Sequence, residues 1–396
     1  MLRHEADVYK AGTHAATLLG TRGTVEFRYL AAYLEQGLPP VATTLPLNPE
    51  PVVNHGGAVP PFFAGLLPEG RRLTTLRRHL KASMDDELSL LLAVGSDTVG
   101  DVQIMPKGAP PVRSEPLLQL PKDMSSISFA EQLRDHQLID PVGLPGVQEK
   151  ASGRMINLPA SRAYERFVVK LAPPEYPGVI ENEAFFLGLA KKAGLRTVKW
   201  QVAEDRDGVR ALLVTRFDRA IGGQAAVALA CEDACQVLGL WPASKYSVTM
   251  EEAAGALTRW CAAPAVAARD IFSQVVFAVL TGNGDLHAKN ISILATPTGE
   301  WRISPAYDLP STVAYGDHTF ALPIRESTQP YSRRSLLEFA AEIGLRRPAA
   351  EKIIDRLIER TQRPLTDLVA AGLPYNLETV SSMISTYNYR RRQLSA

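Results

Sequence analysis

Length, composition and charge already exclude several classes of protein. The chain has 396 residues, of which 46% are hydrophobic and 21% are charged, so it can fill a packed core and is not disordered by composition. Its 43 Lys+Arg against 42 Asp+Glu give a formal net charge of +1, which excludes a strongly basic nucleic-acid-binding protein. At about 150 residues per domain, we expect two to three domains.

The expected cellular setting follows from features that the sequence lacks. Three cysteines without a CxxC pair are too few for a disulfide framework and suit a reducing compartment. Cys231 and Cys235, four apart on an expected helix, are interpreted as packing residues rather than metal ligands. The N-terminus has no apolar signal-peptide core, and no stretch approaches the roughly 20 apolar residues of a membrane span. We therefore expect a soluble cytoplasmic protein that does not contact a membrane.

The first 108 residues are expected to form a small mixed α/β subdomain. Val25, Phe27 and Tyr29 alternate with polar residues, as in a half-buried strand. A helix is predicted over residues 87–92. Prolines and glycines between these runs break any long helix.

A proline-rich stretch at 109–125 is interpreted as a linker, because proline opposes both a helix and a central strand. Residues 126–220 then show mixed signals. The apolar run 167–171 predicts a strand, and 181–193 has helical spacing that ends at a glycine. This part is predicted to be a second mixed unit.

Helical signals dominate residues 221–396, which predicts an all-helical lobe. Ile353, Ile354 and Leu357 lie on one face of an expected helix. Ser335-x-x-Glu338 matches a helix-capping box. The predicted fold class is therefore α+β, with a mixed N-terminal lobe packed on a helical C-terminal lobe.

Residues 281–290, Thr-Gly-Asn-Gly-Asp-Leu-His-Ala-Lys-Asn, carry the strongest chemical signal. Asp285 precedes Asn290 by five positions, which is the spacing of a protein-kinase catalytic loop. Asp285 can accept the proton of an attacking hydroxyl, and Asn290 can offer a neutral oxygen to Mg²⁺. The alternative for an isolated pair is a turn or a helix cap, with His287 structural and Lys289 a surface charge.

A second carboxylate supports the kinase interpretation. Asp308, in Ser-Pro-Ala-Tyr-Asp-Leu-Pro, follows an apparent strand at 301–303 and is a natural second metal ligand. Lys170 ends Phe-Val-Val-Lys, as the β3 lysine of kinases ends its strand, and Glu183 on the next helix can pair with it. The alternative for Lys170 alone is an ordinary strand-end lysine that reaches water.

These residues occur within a set of motifs that resembles the HipA-like serine/threonine kinases of bacterial toxin–antitoxin systems. The resemblance covers nearly the whole chain. It is carried by the N-terminal runs 61–70 and 99–103 and by Gly146–Lys150, Glu181–Glu183, Arg216–Arg219, Gly284–Asn290 and Pro305–Asp308.

The resemblance implies a two-lobe protein-kinase-like fold of HipA type, with 126–220 as the ATP-binding part of the N-lobe. It implies Asp285 as catalytic base, Asn290 and Asp308 as magnesium ligands, and Thr215–Phe217 as the hinge that meets adenine. The implied ATP-binding residues are Pro145, Gly146, Val147, Gln148, Glu149, Lys150, Lys170, Glu183, Thr215, Arg216, Phe217, His287, Ala288, Lys289, Asn290, Tyr307 and Asp308.

One position departs from the family pattern. The phosphate-binding loop of studied members opens with a serine whose autophosphorylation silences the kinase, and motif spacing puts Gly143 there. Since glycine has no hydroxyl, we expect either restraint by the antitoxin alone or the use of a nearby hydroxyl such as Ser152.

The resemblance implies transfer of the ATP γ-phosphoryl group to a protein hydroxyl, with an aminoacyl-tRNA synthetase as the known substrate class, and inhibition of translation and growth. It also implies a HipB-like DNA-binding antitoxin as partner, with operator DNA reached only through that complex. Two alternatives remain: a small-molecule kinase of the same architecture, and a non-catalytic corepressor that partners the antitoxin.

Overall fold

The structure is a computed structural model. It describes residues 4–21, 23–80, 86–112, 116, 118–135, 155–173, 176–222, 225–329, 331–366 and 368–396.

The N-terminal subdomain contains an antiparallel sheet in the order β4-β3-β2-β1-β5. Its strands are β1 (His4–Lys10), β2 (Thr13–Thr21), β3 (Thr24–Tyr29), β4 (Val52–His55) and β5 (Val102–Pro106). The helices are α1 (Ala31–Glu35), α2 (Pro61–Ala64), α3 (Gly70–Leu80) and α4 (Glu87–Val94). Buried Phe27 of β3, Phe63 of α2 and Leu90 of α4 share one core cluster. The alternation predicted for β3 and the helix predicted over 87–92 are confirmed.

The second sheet has the order β6-β7-β8-β10-β9. Its strands are β6 (Leu118–Gln119), β7 (Ile156–Arg162), β8 (Glu165–Leu171), β9 (Trp200–Glu204) and β10 (Arg210–Thr215), and its helices are α5 (Phe129–Asp135) and α6 (Val179–Ala193). Successive residues of β10 point to opposite faces, because Leu212 joins the core with α6 whereas Leu213 joins the core with α5. The stretch predicted as a linker supplies β6, an edge strand next to β7.

The C-terminal lobe is built on helices with short strands between them. The helices are α7 (Ala234–Val237), α8 (Met250–Trp260), α9 (Pro264–Thr281), α10 (Arg333–Glu342), α11 (Arg347–Thr366) and α12 (Leu377–Ser395). The strands are β11 (Arg219–Gly222), β12 (Ala225–Ala228), β13 (Cys231–Asp233), β14 (Ser292–Ala295) and β15 (Trp301–Ile303). Of the described helices, only α9 is long and apolar enough to cross a bilayer, and 72% of it is buried inside the protein, as in a core helix.

The α+β fold is confirmed, with corrections inside the C-terminal lobe. The lobe is not all-helical, because β13, β14 and β15 form a sheet. The strand expected at 301–303 is confirmed as β15, whereas β13 and β14, of three and four residues, are too short for a readable period. Cys231 accordingly lies on β13 and not on a helix, although all three cysteines are buried. The capping-box prediction was wrong by three residues: Ser332 is the N-cap of α10 and accepts from the Ser335 backbone N–H.

A buried ionic network joins the N-terminal subdomain to the segment after β10. The Arg216 guanidinium donates to the Asp218 carboxylate at 2.7 Å and to Asp97 at 2.7 Å. The Gly100 backbone N–H, just before β5, donates to the Asp218 carboxylate at Oδ2 (2.9 Å). Burial opposes ionisation of Asp218, but the guanidinium groups of Arg216 and Arg219 outweigh it and lower its pKa to about 2.

The turn after α9 sets the direction of the catalytic-loop motif. Gly282 ends the helix in a left-handed conformation (φ 70°), which glycine adopts without a Cβ penalty. Gly284 is needed for space: a Cβ there would lie 2.6 Å from Thr312 Oγ1, 2.7 Å from Asp317 Oδ2 and 2.7 Å from the Thr319 carbonyl oxygen. The loop is therefore packed against the 312–319 segment.

The first prediction concerns the ionic network. We expect Asp218→Ala to lower the free energy of unfolding by about 3 kcal/mol, because it removes the buried carboxylate that pairs with both Arg216 and Arg219 and leaves Asp97 as the only carboxylate that binds the two guanidinium groups among the described residues. Urea denaturation measures the change. Glu204→Ala is the control, since Glu204 pairs with Arg210 where both side chains are more than half exposed, and its expected cost is below about 1 kcal/mol. Equal losses for the two variants would contradict the role of the network.

The second prediction concerns the turn. Gly284→Ala should destabilise the protein by about 1–3 kcal/mol, because the added methyl group forces the loop away from the 312–319 segment. Gly255→Ala is matched to it: nothing lies within 4 Å of a Cβ at Gly255 inside α8. Thermal denaturation should show no loss for Gly255→Ala, and a gain of about 0.5–1 kcal/mol is expected from the helical alanine. A Gly284→Ala protein as stable as the wild type would refute the packing argument.

Candidate active site

The catalytic-loop motif forms a compact, buried turn around Asp285. The Asp285 side chain is buried, and the Asn283 Oδ1 accepts a hydrogen bond from the Asp285 backbone N–H at 2.8 Å. The Asn290 Nδ2 donates to the Asp285 carbonyl oxygen at 2.8 Å. This bond closes the loop on itself and gives a structural reason for the five-residue spacing.

Two aromatic side chains flank the Asp285 carboxylate. The Tyr246 hydroxyl donates to Asp285 Oδ1 at 3.0 Å. The His287 Nε2 lies 3.9 Å from the same oxygen, and its buried Nδ1 has no hydrogen-bond partner among the described residues. Burial lowers the pKa of His287, although Asp285 partly offsets the effect, so the imidazole is neutral near pH 7. A buried ring nitrogen without a partner is a polar group that a ligand could satisfy.

Lys170, Glu183 and Asp308 are in contact, with Lys170 and Glu183 buried and Asp308 partly exposed. The Lys170 Nζ on β8 donates to Glu183 Oε1 on α6 at 2.7 Å and to Asp308 Oδ1 at 2.9 Å. Asp308 has a left-handed backbone (φ 55°), which is uncommon for a residue other than glycine, although Asp adopts it more readily than most. The predicted pairing of Lys170 with Glu183 therefore exists, and the structure adds Asp308 to it.

The charges at this point depend on one another. Burial disfavours the Lys170 ammonium, but the Asp308 and Glu183 carboxylates outweigh it and raise the pKa of Lys170. Burial raises the pKa of Glu183, and the Lys170 ammonium only partly offsets that rise. Lys170 is therefore a permanent cation next to Asp308.

Asn283 joins the two halves of the site. Its Oδ1 accepts from the Asp285 N–H, and its Nδ2 donates to the Asp308 carbonyl oxygen at 3.4 Å. The base candidate and the metal-ligand candidate are thus held by one amide side chain. Sequence reasoning did not single out Asn283, although a polar residue between Gly282 and Gly284 was a usable signal.

The residues present fit a magnesium ion beside a nucleotide. Mg²⁺ takes oxygen ligands and is commonly held by one or two protein groups, with water and phosphate oxygens completing its shell. Because the Asn290 Nδ2 is engaged with the Asp285 carbonyl group, its Oδ1 is the atom that can serve as ligand, and the Asp308 carboxylate is the second candidate ligand. The described residues contain no cluster of three or more His, Cys, Asp or Glu side chains that could hold a metal ion.

Other sequence-predicted residues have different surroundings. The Lys289 ammonium is buried against Asp233 at 2.9 Å, and Arg216 belongs to the ionic network described above. The Phe217 and Tyr307 rings lie 5.3 Å apart, and the Tyr307 hydroxyl donates to the Lys289 carbonyl oxygen. Ala288 is buried, and its backbone N–H donates to the carbonyl oxygen of residue 245.

Contact of these residues with nucleotide stays a prediction, as does the role of Thr215 at the end of β10. The predicted phosphate loop, from Pro145 to Lys150, lies outside the described residues, and so do Gly143 and Ser152. Two further residues of the site were missed by sequence reasoning, Tyr246 and Glu69, because each reaches the catalytic loop from a distant part of the chain.

Family models match most of the chain. The HipA-like C-terminal domain matches residues 142–365, and the HipA N-terminal domain matches residues 6–105. The putative kinase Y4mE of Sinorhizobium fredii is 30% identical over 366 residues, which cover 86% of this chain and 85% of that protein. The serine/threonine-protein kinase toxin HipA of Shewanella oneidensis is 26% identical, with 93% of this chain and 89% of that protein covered.

A solved structure agrees with the fold. HipA in the Shewanella oneidensis MR-1 complex of HipA, HipB and operator DNA matches with a TM-score of 0.78 at 22% identity, over 98% of this chain and 96% of that chain. Together with the two family models, this establishes that the chain belongs to the HipA-like kinase family.

Proposed function

We propose that this chain is an ATP- and Mg²⁺-dependent serine/threonine protein kinase. The observation that carries the proposal is the connected arrangement of Lys170, Asp308, Asn283 and Asp285. Lys170 and Asp308 are in contact, and Asn283 links the Asp308 loop to the Asp285 loop. In phosphoryl transfer, the protein mainly positions the reactants and neutralises charge, and this arrangement supplies a cation, a metal-ligand candidate and a base. The second metal-ligand candidate, Asn290, is attached to it by the bond from its Nδ2 to the Asp285 carbonyl oxygen.

Each residue has a role that its surroundings support. Asp285 accepts the proton of the acceptor hydroxyl as the new phosphorus–oxygen bond forms and ADP leaves. Lys170, kept charged by two carboxylates, binds phosphate oxygens of the nucleotide. Glu183 accepts from the Lys170 ammonium with both carboxylate oxygens, at 2.7 and 2.9 Å, and would hold the lysine in place if Asp308 served as a metal ligand. Asn290 and Asp308 would hold Mg²⁺, which when bound neutralises charge on the phosphates.

The acceptor is proposed to be a serine or threonine hydroxyl of a cytoplasmic protein, with an aminoacyl-tRNA synthetase as the proposed substrate. Its modification would inhibit translation and growth. The similarity to a protein named as a serine/threonine-protein kinase toxin supports this choice. A HipB-like DNA-binding antitoxin is the proposed partner, with operator DNA bound through it. The similarity to a chain solved in complex with HipB and operator DNA supports that assignment.

The third prediction separates chemistry from nucleotide binding. Asp285→Ala should retain Mg²⁺-dependent ATP binding while phosphoryl transfer falls at least about 100-fold, since the base is lost. Asp308→Ala should lose the Mg²⁺-dependence of ATP binding as well, because a metal ligand is removed. Calorimetric titration with a non-hydrolysable ATP analogue, with and without Mg²⁺, and ³²P transfer to lysate proteins measure the two effects.

Asp355→Ala is the control, because Asp355 is exposed on α11 and should leave both quantities unchanged. Phosphoproteomics of cells that express the wild type or Asp285→Ala then identifies the acceptor. Full transfer activity in Asp285→Ala would refute the assigned base, and label found only on small molecules would refute the protein acceptor. Operator repression without any phosphoryl transfer would favour the corepressor alternative.

A further inference from the structure

Segment 241–248 lies across the catalytic loop. It contains a short 3₁₀ turn over Pro242–Ser244, and the Lys245 carbonyl oxygen accepts a hydrogen bond from the Ala288 N–H at 3.2 Å. The next residue, Tyr246, places its hydroxyl 3.0 Å from Asp285 Oδ1. The segment thus contacts the catalytic loop on both sides of His287.

The Tyr246 hydroxyl is a permanent hydrogen-bond donor. Burial and the nearby Asp285 carboxylate raise the pKa of Tyr246 far above its usual value, so the phenol keeps its proton. Tyr246 as a residue is 39% exposed, and its ring meets the His287 ring edge-on, with centroids 5.0 Å apart. The polar end of this side chain is hydrogen-bonded to the carboxylate oxygen of the proposed base.

The N-terminal subdomain contacts the same segment through an ion pair. The Lys245 Nζ lies 2.6 Å from Glu69 Oε2, and the Lys289 Nζ lies 3.4 Å from Glu69 Oε1. Burial opposes ionisation of Glu69, but the two ammonium groups outweigh it and lower the pKa of Glu69. One carboxylate of the N-terminal subdomain therefore contacts both segment 241–248 and the catalytic loop.

We infer that Tyr246 is a positioning residue for the catalytic base, and that Glu69 supports it through Lys245. The inference rests on the proposed kinase function. A carboxylate that serves as a base must present an oxygen within about 2.6–3.2 Å of the acceptor hydroxyl. The O–H of Tyr246 fixes one oxygen of Asp285 and so restricts the rotation of the carboxylate. Tyr246 does not need to contact the nucleotide for this role.

The fourth prediction compares full-length variants in ³²P transfer from Mg²⁺·ATP to a nucleotide-depleted bacterial lysate. Tyr246→Phe should lower kcat about 10- to 100-fold, the effect of losing a hydrogen bond to a charged group, while the KM for ATP changes less than about twofold. Glu69→Gln should lower kcat by a smaller factor with the same unchanged KM. Tyr389→Phe is the matched control, because Tyr389 is half exposed on α12 and should match the wild type.

The thermal midpoint of each variant is measured, and each transfer rate is divided by the fraction of folded protein. A purely structural role would lower the midpoint and the amount of active protein, but it would not lower kcat. A kcat of Tyr246→Phe within about twofold of the wild type would overturn the inference. A faster rate in Tyr246→Phe would also overturn it, because Tyr246 would then be an obstacle to the acceptor. Phosphate found on Tyr246 by mass spectrometry would overturn it too, because Tyr246 would then be an acceptor itself. If the wild type transfers no more label than Asp285→Ala, the proposed function fails instead, and the inference falls with it.

Discussion

The position of one buried ammonium group constrains much of the molecule. Lys170 lies on the second sheet, Glu183 on the helix that covers it, and Asp308 in a loop of the C-terminal lobe. A buried cation is costly unless charged partners surround it, so these three elements cannot separate without leaving a charge unpaired. The lobes are thus held together at the point where the proposed chemistry occurs, and the strength of that contact depends on charge as well as on apolar packing.

A second constraint comes from helix α9 and the turn that follows it. The helix is buried along nearly its whole second half, so the loop that begins at Gly282 starts from a fixed point. Asn283 then ties the loop to Asp308, and Asn290 ties its end back to Asp285. The site is therefore built on rigid elements, with backbone and amide hydrogen bonds that hold the chemical groups in place.

Sequence reasoning found the parts of the site whose signal is local. The spacing of Asp285 and Asn290 is readable because both residues belong to one loop, and the pair of Lys170 and Glu183 follows from a strand and the next helix. Tyr246 and Glu69 were not found, because their contacts with the loop arise only when distant segments pack together. The same limit applies to the fold: the apolar face of α11 was predicted from its spacing, whereas the three-residue strand β13 carries no period to read. The cap of α10 was assigned to the wrong serine.

The three cysteines have a practical consequence. All are buried, and burial raises the pKa of Cys261 to about 11 and that of Cys235 to about 12, with Cys231 also far above its usual value. Thiolate is the reactive form, so the native chain should react slowly with maleimide reagents while it is folded. A single cysteine introduced on the outer face of the N-terminal sheet could therefore carry a fluorophore without removal of the natural thiols, and movement between the lobes could be followed by spectroscopy in an otherwise unaltered protein.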